Sequence, residues 1–209
     1  MYTPTHFAEE DTELLYSFMQ NHPFATLVTN QSDGPLATHL PVEVEKSRDG
    51  NQGRILGHLA RANPHWELFD SPDHSLLIFH GPHNYISPAW YESKNMVPTW
   101  NYAAVHAYGR IHLIDEPDEV RGVLDALVDR FESQRATPWV NELDDEFMNQ
   151  LQAAIVAFEF KIEKLEGKFK LGQNRRLVDQ KSALLGLESE TSNIELASLT
   201  RQRLKQDAP

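Results

Sequence analysis

Three stretches of this 209-residue chain hold side chains whose types and spacing could do chemistry. The first is Gly57-His58-Leu59-Ala60-Arg61-Ala62-Asn63-Pro64-His65-Trp66. A strand would end there, Arg61 would sit in the turn, and a helix would run from His65 to Asp70 with Asn63 as N-cap and Pro64 at its first position. Unpaired N–H groups at a helix start, joined by a guanidinium fork, suit a phosphate. The plainer reading is a surface Arg beside an ordinary capped helix, and no Gly-rich phosphate loop accompanies it. The second stretch, Lys161 to Lys181, carries seven basic residues against three acidic ones, in a chain of net charge −12. A basic island in an acidic protein points to an anionic ligand, and Gln173-Asn174 adds amides of the kind that read a heterocycle's edge. Salt bridging at a strand end is the competing account. The third is the run Trp100 to Leu113. Its odd positions are mostly small and apolar, suiting a barrel interior. Its even positions, Trp100, Tyr102, His106, Tyr108, Arg110 and His112 among them, suit a subunit interface or ligand surface. A sheet face covered by the chain's own helices would look the same.

Ten His, none after His112, invite a metal site. His80-x-x-His83 surrounds Gly81-Pro82, no His-Glu-x-x-His pattern occurs, and there is no Cys, so no metal site is expected. No nucleophile elbow is present, and Ser87 lies between Ile86 and Pro88, so no catalytic residue is assigned.

The elements that must position these groups follow from periodicity. Residues 10–22 read as a helix, stopped by Asn21-His22-Pro23. Phe24–Thr29 and Leu36–Val44 read as a β-hairpin around the Asn30–Pro35 turn cluster, with a further turn over Ser47–Gly53 and a strand over Arg54–Leu59. Leu76–Phe79 is a short buried strand, Gly81–Pro98 a long ordered loop, and Trp100–Leu113 the long strand. Helices follow from Glu116 to Phe131 and from Asp144 to Ile155. Phe158–Glu163 is the last strand, and Gly167–Arg176 a basic loop. Two helices close the chain, Arg176–Leu187 and Asn193–Lys205, the second opened by a Ser192-x-x-Glu195 capping box. Antiparallel strands first and helices late give an α+β chain on a closed or nearly closed β-barrel. One domain over 1–185 with a helical tail over 186–209 is the expected division.

Composition is that of an ordinary globular chain, 40% hydrophobic and 24% charged. No apolar run is long enough to span a membrane, and the N-terminus has no signal-peptide pattern. The absence of Cys fits a reducing cytoplasm. A charge of −12 disfavours direct DNA binding, and the C-terminal helices form no helix-turn-helix.

A series of uncommon blocks runs in order along residues 1–180: Met1-Tyr2-x-Pro4-x-His6-Phe7, Gly34-Pro35-Leu36-Ala37-Thr38-His39-Leu40-Pro41, Gly57 to Pro64, Phe79 to Pro88, Val97 to Tyr102, His106-Ala107-Tyr108-Gly109-Arg110 and Leu165 to Arg175. In these the chain resembles the PaiB-type FMN-binding negative transcriptional regulators, with Gly172 standing where the family pattern has Ser. The resemblance implies a split β-barrel of the PNP-oxidase-like, antiparallel type, with peripheral helices and a C-terminal helical appendage. It implies a homodimer with FMN at the subunit interface. The strand Thr38-His39-Leu40-Pro41 would run along the flavin, His58, Arg61 and Asn63 would lie near the ribityl phosphate, and Trp100, Asn101, Lys170, Gln173 and Arg175 would add contacts from the same or the partner subunit. A flavin-dependent or flavin-sensing regulator is the leading expectation. A flavin-dependent oxidoreductase, a haem-binding or haem-degrading protein and an interaction module with a vestigial pocket are the alternatives.

Overall fold

The computed structural model describes residues 1–47, 52–71 and 73–206. Seven strands and five helices follow the order β1 (Ala8–Glu9), α1 (Thr12–Asn21), β2 (Phe24–Gln31), β3 (Gly34–Glu45), β4 (Arg54–Ala60), β5 (Ser75–Ile86), β6 (Thr99–Ile114), α2 (Pro117–Glu132), α3 (Asp145–Ala153), β7 (Ile155–Lys170), α4 (Leu177–Glu190) and α5 (Ile194–Gln206). The sheet order is β1-β7-β4-β3-β2-β5-β6, and β6 pairs in addition with β7, so the order returns on itself. This is the α+β split β-barrel, built on antiparallel pairs. Where β6 meets β7 the strands approach closely: a Cβ on Gly109 would lie 1.9 Å from the Lys161 carbonyl oxygen.

Two compact units divide the chain. One comprises residues 1–15, 80–105 and 166–209, the other residues 16–79 and 106–165. In the second, β2 and β3 pair from Phe24↔Pro41 to Gln31↔Gly34, leaving a two-residue turn at Ser32-Asp33. Gly34 takes φ +121°, a conformation that favours glycine. The hairpin is thus longer and its turn tighter than the expected Asn30–Pro35 cluster. Register Val42↔Gly57 and Gly57↔Phe158 aligns the interior faces of β3, β4 and β7. Phe79, Phe158, Phe160, Leu27 and Ile55 are fully buried. On the opposite face α2 lays Val120, Val123 and Leu127 on Leu56 and Ala157.

In the first unit, α4 and α5 pack together, and α4 packs on the turn Pro88–Trp90. Gly186 is the point of closest approach, since a Cβ there would lie 2.3 Å from the Trp90 ring. The Ser93 N–H and hydroxyl donate to the buried Asp179 carboxylate at 2.8 and 2.7 Å, holding that carboxyl below its ordinary range.

Several expected boundaries move. Much of the expected loop over Gly81–Pro98 is strand, because β5 continues to Ile86. The alternation in β5 slips one residue at Gly81-Pro82, so both His80 and His83 are exposed. The last strand is sixteen residues long and absorbs the start of the basic loop, which shrinks to residues 171–176. The helix from His65 to Asp70 is instead a single 3-10 turn, Pro64–Leu68, and Asp70 sits at φ 58°. The cap of α5 is Asn193, whose side chain accepts from the Leu196 N–H at 3.2 Å, in place of Ser192. The turn over Ser47–Gly53 has residues 48–51 outside the described residues. α4 runs through residues 185 and 186 without a break.

Candidate functional site

Within residues 16–79 and 106–165, alternation along β3 divides Thr38-His39-Leu40-Pro41 between two faces. Thr38 and Leu40 share the face of Val42, while His39 and Pro41 are exposed on the other. His39 is braced from β2: its Nδ1 is 2.9 Å from the Thr26 hydroxyl, and its ring stacks on exposed Phe24 at 6.4 Å between centroids. Thr38 lies in a polar network. Its Oγ1 accepts from Asn63 Nδ2 at 3.2 Å and is 2.8 Å from His65 Nδ1. Asn63 Oδ1 in turn accepts from the His65 N–H at 3.0 Å, so the capping residue and the strand hydroxyl share one network. His65 is completely buried, and its Nε2 has no partner among the described residues.

His58 and Arg61 do not join that network. By register His58 belongs to the sheet face of Leu56, opposite to Thr38. Its Nδ1 is buried with no partner among the described residues, and burial lowers the pKa of the ring. Arg61 donates Nε to the Ala153 carbonyl at 2.9 Å and Nη2 to the Ile155 carbonyl at 2.7 Å, tying the end of α3 to the start of β7. It borders a cavity of about 270 Å³ with Asp115, Asn149 and Gln152 over Val120 and Val156. The helix start expected beside Arg61 is a five-residue 3-10 turn, with its His65 N–H already taken by Asn63.

Within residues 1–15, 80–105 and 166–209, the remaining expected residues converge on the end of β7. Lys170 Nζ donates to the Thr99 hydroxyl at 2.5 Å and to the Trp100 carbonyl at 2.7 Å. Lys168, 9% exposed, donates to the Tyr2 carbonyl at 2.9 Å and lies over the Tyr102 ring at 5.3 Å. Arg175 lies over the Tyr91 ring at 5.8 Å. Burial lowers the Lys170 pKa, and the charges of Lys168 and Arg175 push it the same way. Among the described residues none of these three cations meets a carboxylate at salt-bridge distance. Trp100 is exposed, edge-on to Tyr85 at 6.3 Å and tilted against His83 at 6.1 Å. Asn101 is buried, and its Oδ1 has no partner among the described residues; its amide nitrogen would lie 3.8 Å from a Cβ on Gly172, where φ is +92°. Gln173 spends its amide on its own turn, accepting from the Leu171 N–H and donating to the Phe169 carbonyl. It shapes the loop instead of offering a free edge.

The cations, the exposed indole and the orphaned amide oxygen fit a ligand with an anionic group, an aromatic plane and polar edges, as a flavin mononucleotide has. His65, second residue of the expected helix, and Lys168, within the basic island, join these networks without being among the expected site residues. The Asn63-Pro64-His65 cap was the available signal for the first.

Comparison with known proteins gives the class and then the family. The fold is that of flavin-binding split barrels. It matches the FAD and heme binding protein of Mycobacterium smegmatis (TM-score 0.59, 20% identity, 79% of this chain and 74% of that one). It also matches the flavocytochrome Anf3 of Azotobacter vinelandii (TM-score 0.61, 16% identity, 79% and 70%). Residues 1–164 match the family described as "Putative FMN-binding domain". The chain is 36% identical to protease synthase and sporulation protein PAI 2 of Bacillus subtilis, over 98% of its own length and 99% of that protein's. It belongs to the PaiB-type FMN-binding family, and its cofactor is FMN.

Proposed function

We propose that the chain is a homodimeric cytoplasmic regulator of the PaiB type, whose state follows flavin occupancy or flavin redox state. The observation that carries this reading is the set Lys168, Lys170 and Arg175, three cations held by carbonyls, a hydroxyl and ring faces and, among the described residues, with no carboxylate at salt-bridge distance. They are the seat for the FMN phosphate. Trp100 supplies an aromatic face and Asn101 an unsatisfied acceptor. Thr38, His39, Leu40 and Pro41 belong to the flavin set through the family resemblance, with Asn63 setting Thr38. His58 and Arg61 belong to the same set through the family resemblance, Arg61 with two of its donors already committed to carbonyls. When bound, FMN supplies one- or two-electron chemistry. The residues here bind it, orient it and balance its charge.

A second subunit is supported by the exposed aromatics in each unit, Trp100 and Tyr85 in one and Phe24 beside His39 in the other. The Bacillus subtilis relative is named for protease synthase and sporulation, and the resemblance to PaiB-type regulators supports a regulatory role. With a charge of −12, regulation works through a partner and not by reading DNA directly.

Purified protein is expected to quench FMN fluorescence at micromolar concentrations and to run as a dimer in light scattering. No binding at tens of micromolar, or a monomer mass, contradicts the reading. FMN reduction by NAD(P)H with turnover would favour an oxidoreductase, and DNA retention in a mobility assay would favour direct regulation.

A further inference from the structure

We propose that His65 keeps its ring proton on Nδ1 and thereby fixes Thr38 as a hydroxyl donor for the flavin; the identity of that acceptor rests on the FMN reading above. The inference follows from counting lone pairs and hydrogens in one buried network. Asn63 Nδ2 can only donate, so Thr38 Oγ1 accepts there. The amide cannot turn over without loss, because its Oδ1 is held by the His65 N–H. The contact of 2.8 Å between Thr38 Oγ1 and His65 Nδ1 can run in either direction.

If Thr38 donates, the ring proton sits on Nε2, where it is buried with no acceptor. If the ring donates from Nδ1, Nε2 is a bare acceptor in the same place. A buried N–H without a partner is rarer and costlier than an unsatisfied acceptor, so the second arrangement holds. His65 has no exposure to water that could relieve the choice, and Phe69 flanks its ring at 5.9 Å between centroids. Burial also lowers its pKa, which keeps the ring neutral.

Thr38 Oγ1 then uses both lone pairs as an acceptor. Its hydrogen has no acceptor among the described residues, and the side chain is only half-buried. An isolated threonine hydroxyl offers a ligand either a donor or an acceptor. This one offers a donor only, and flavin presents carbonyl oxygens and ring nitrogens that accept. His65 is a positioning residue: it acts on the ligand through Thr38.

The test begins with the full chain free of flavin. Ring nitrogen NMR at neutral pH is expected to show His65 protonated at Nδ1 and bare at Nε2. A proton on Nε2, or on both nitrogens, overturns the proposal. Flavin titration is the second arm. Thr38→Val and His65→Leu are each expected to weaken FMN about 10-fold, with no further loss in the double variant. His65→Asn, which returns a donor at the Nδ1 position, should stay within about 3-fold of wild type. Additive losses, or equal weakening by His65→Asn, overturn it. If the wild-type chain takes up no FMN, the functional reading fails, and the NMR measurement alone decides the proton's position.

Discussion

Cations of the same types do opposite work in two regions of the molecule. In residues 16–79 and 106–165, Arg54 binds Glu45 and Glu159 at 2.7 and 2.9 Å. There Lys161 lies 3.6 Å from Glu159, Arg110 3.2 Å from Glu163 and Arg130 3.5 Å from Glu43. In residues 1–15, 80–105 and 166–209, Lys168, Lys170 and Arg175 meet carbonyls, a hydroxyl and aromatic faces. A cation matched to a carboxylate is scaffolding with its field cancelled. A cation held by neutral dipoles keeps its field, whether it acts as a brace, as Arg61 does, or stays available to an anionic ligand. The basic island of the sequence mixes both kinds: Lys161 is matched to Glu159, while among the described residues Lys168, Lys170 and Arg175 meet no carboxylate at salt-bridge distance.

The comparison breaks most sharply at Lys170. Lys170→Glu is expected to weaken FMN about 100-fold, the loss of a charge-assisted contact plus a new repulsion, while riboflavin changes less than about 3-fold. Parallel fluorescence titrations check this, and equal losses for both ligands would remove the phosphate from that region. Next in size is the support beneath the cations. Gly186→Ala drives a methyl into the Trp90 ring and should cost about 1–3 kcal/mol, read as a lower melting temperature.

The buried histidines sharpen the comparison through pH. His58 and His65 have folded pKa values below the ordinary 6.5, so the unfolded chain binds more protons below that pH. Their contribution to stability is full above 6.5 and is lost as pH falls toward the folded values. Denaturant melts between pH 7.5 and 5.5 should show the decline, and His65→Asn should flatten it. The smallest effect is expected for a matched cation: Arg54→Gln should shift stability by less than about 1 kcal/mol and leave FMN affinity unchanged. A large loss of FMN there would erase the distinction between the two regions.

How much of this was legible in the sequence depends on the range of the interaction. The long strand β6 was legible because alternation is local: Ala103, Val105, Ala107 and Ile111 are buried, and Trp100 and Arg110 exposed, as period two requires. The cap at Asn63 was legible for the same reason. The helix after it was not, because the chain turns at Asp70, whose backbone N–H bonds the Ile111 carbonyl forty-one residues away. The partners of Arg61 were equally hidden. Its guanidinium reaches carbonyls more than ninety residues on, so a phosphate fork and a structural brace look identical in one dimension. Thr38 was flagged through the family blocks. That His65 sets it depends on a contact between residues twenty-seven apart.

On the reading proposed above, charge that meets no carboxylate among the described residues, near the end of β7, holds the FMN phosphate. The most direct measurement is the affinity of the wild-type chain for FMN against riboflavin, by fluorescence titration at low and high salt. FMN is expected to bind at least about 10-fold tighter, the value of one charge-assisted contact, with the gap narrowing as salt rises. Equal affinities at both salt concentrations would contradict the account.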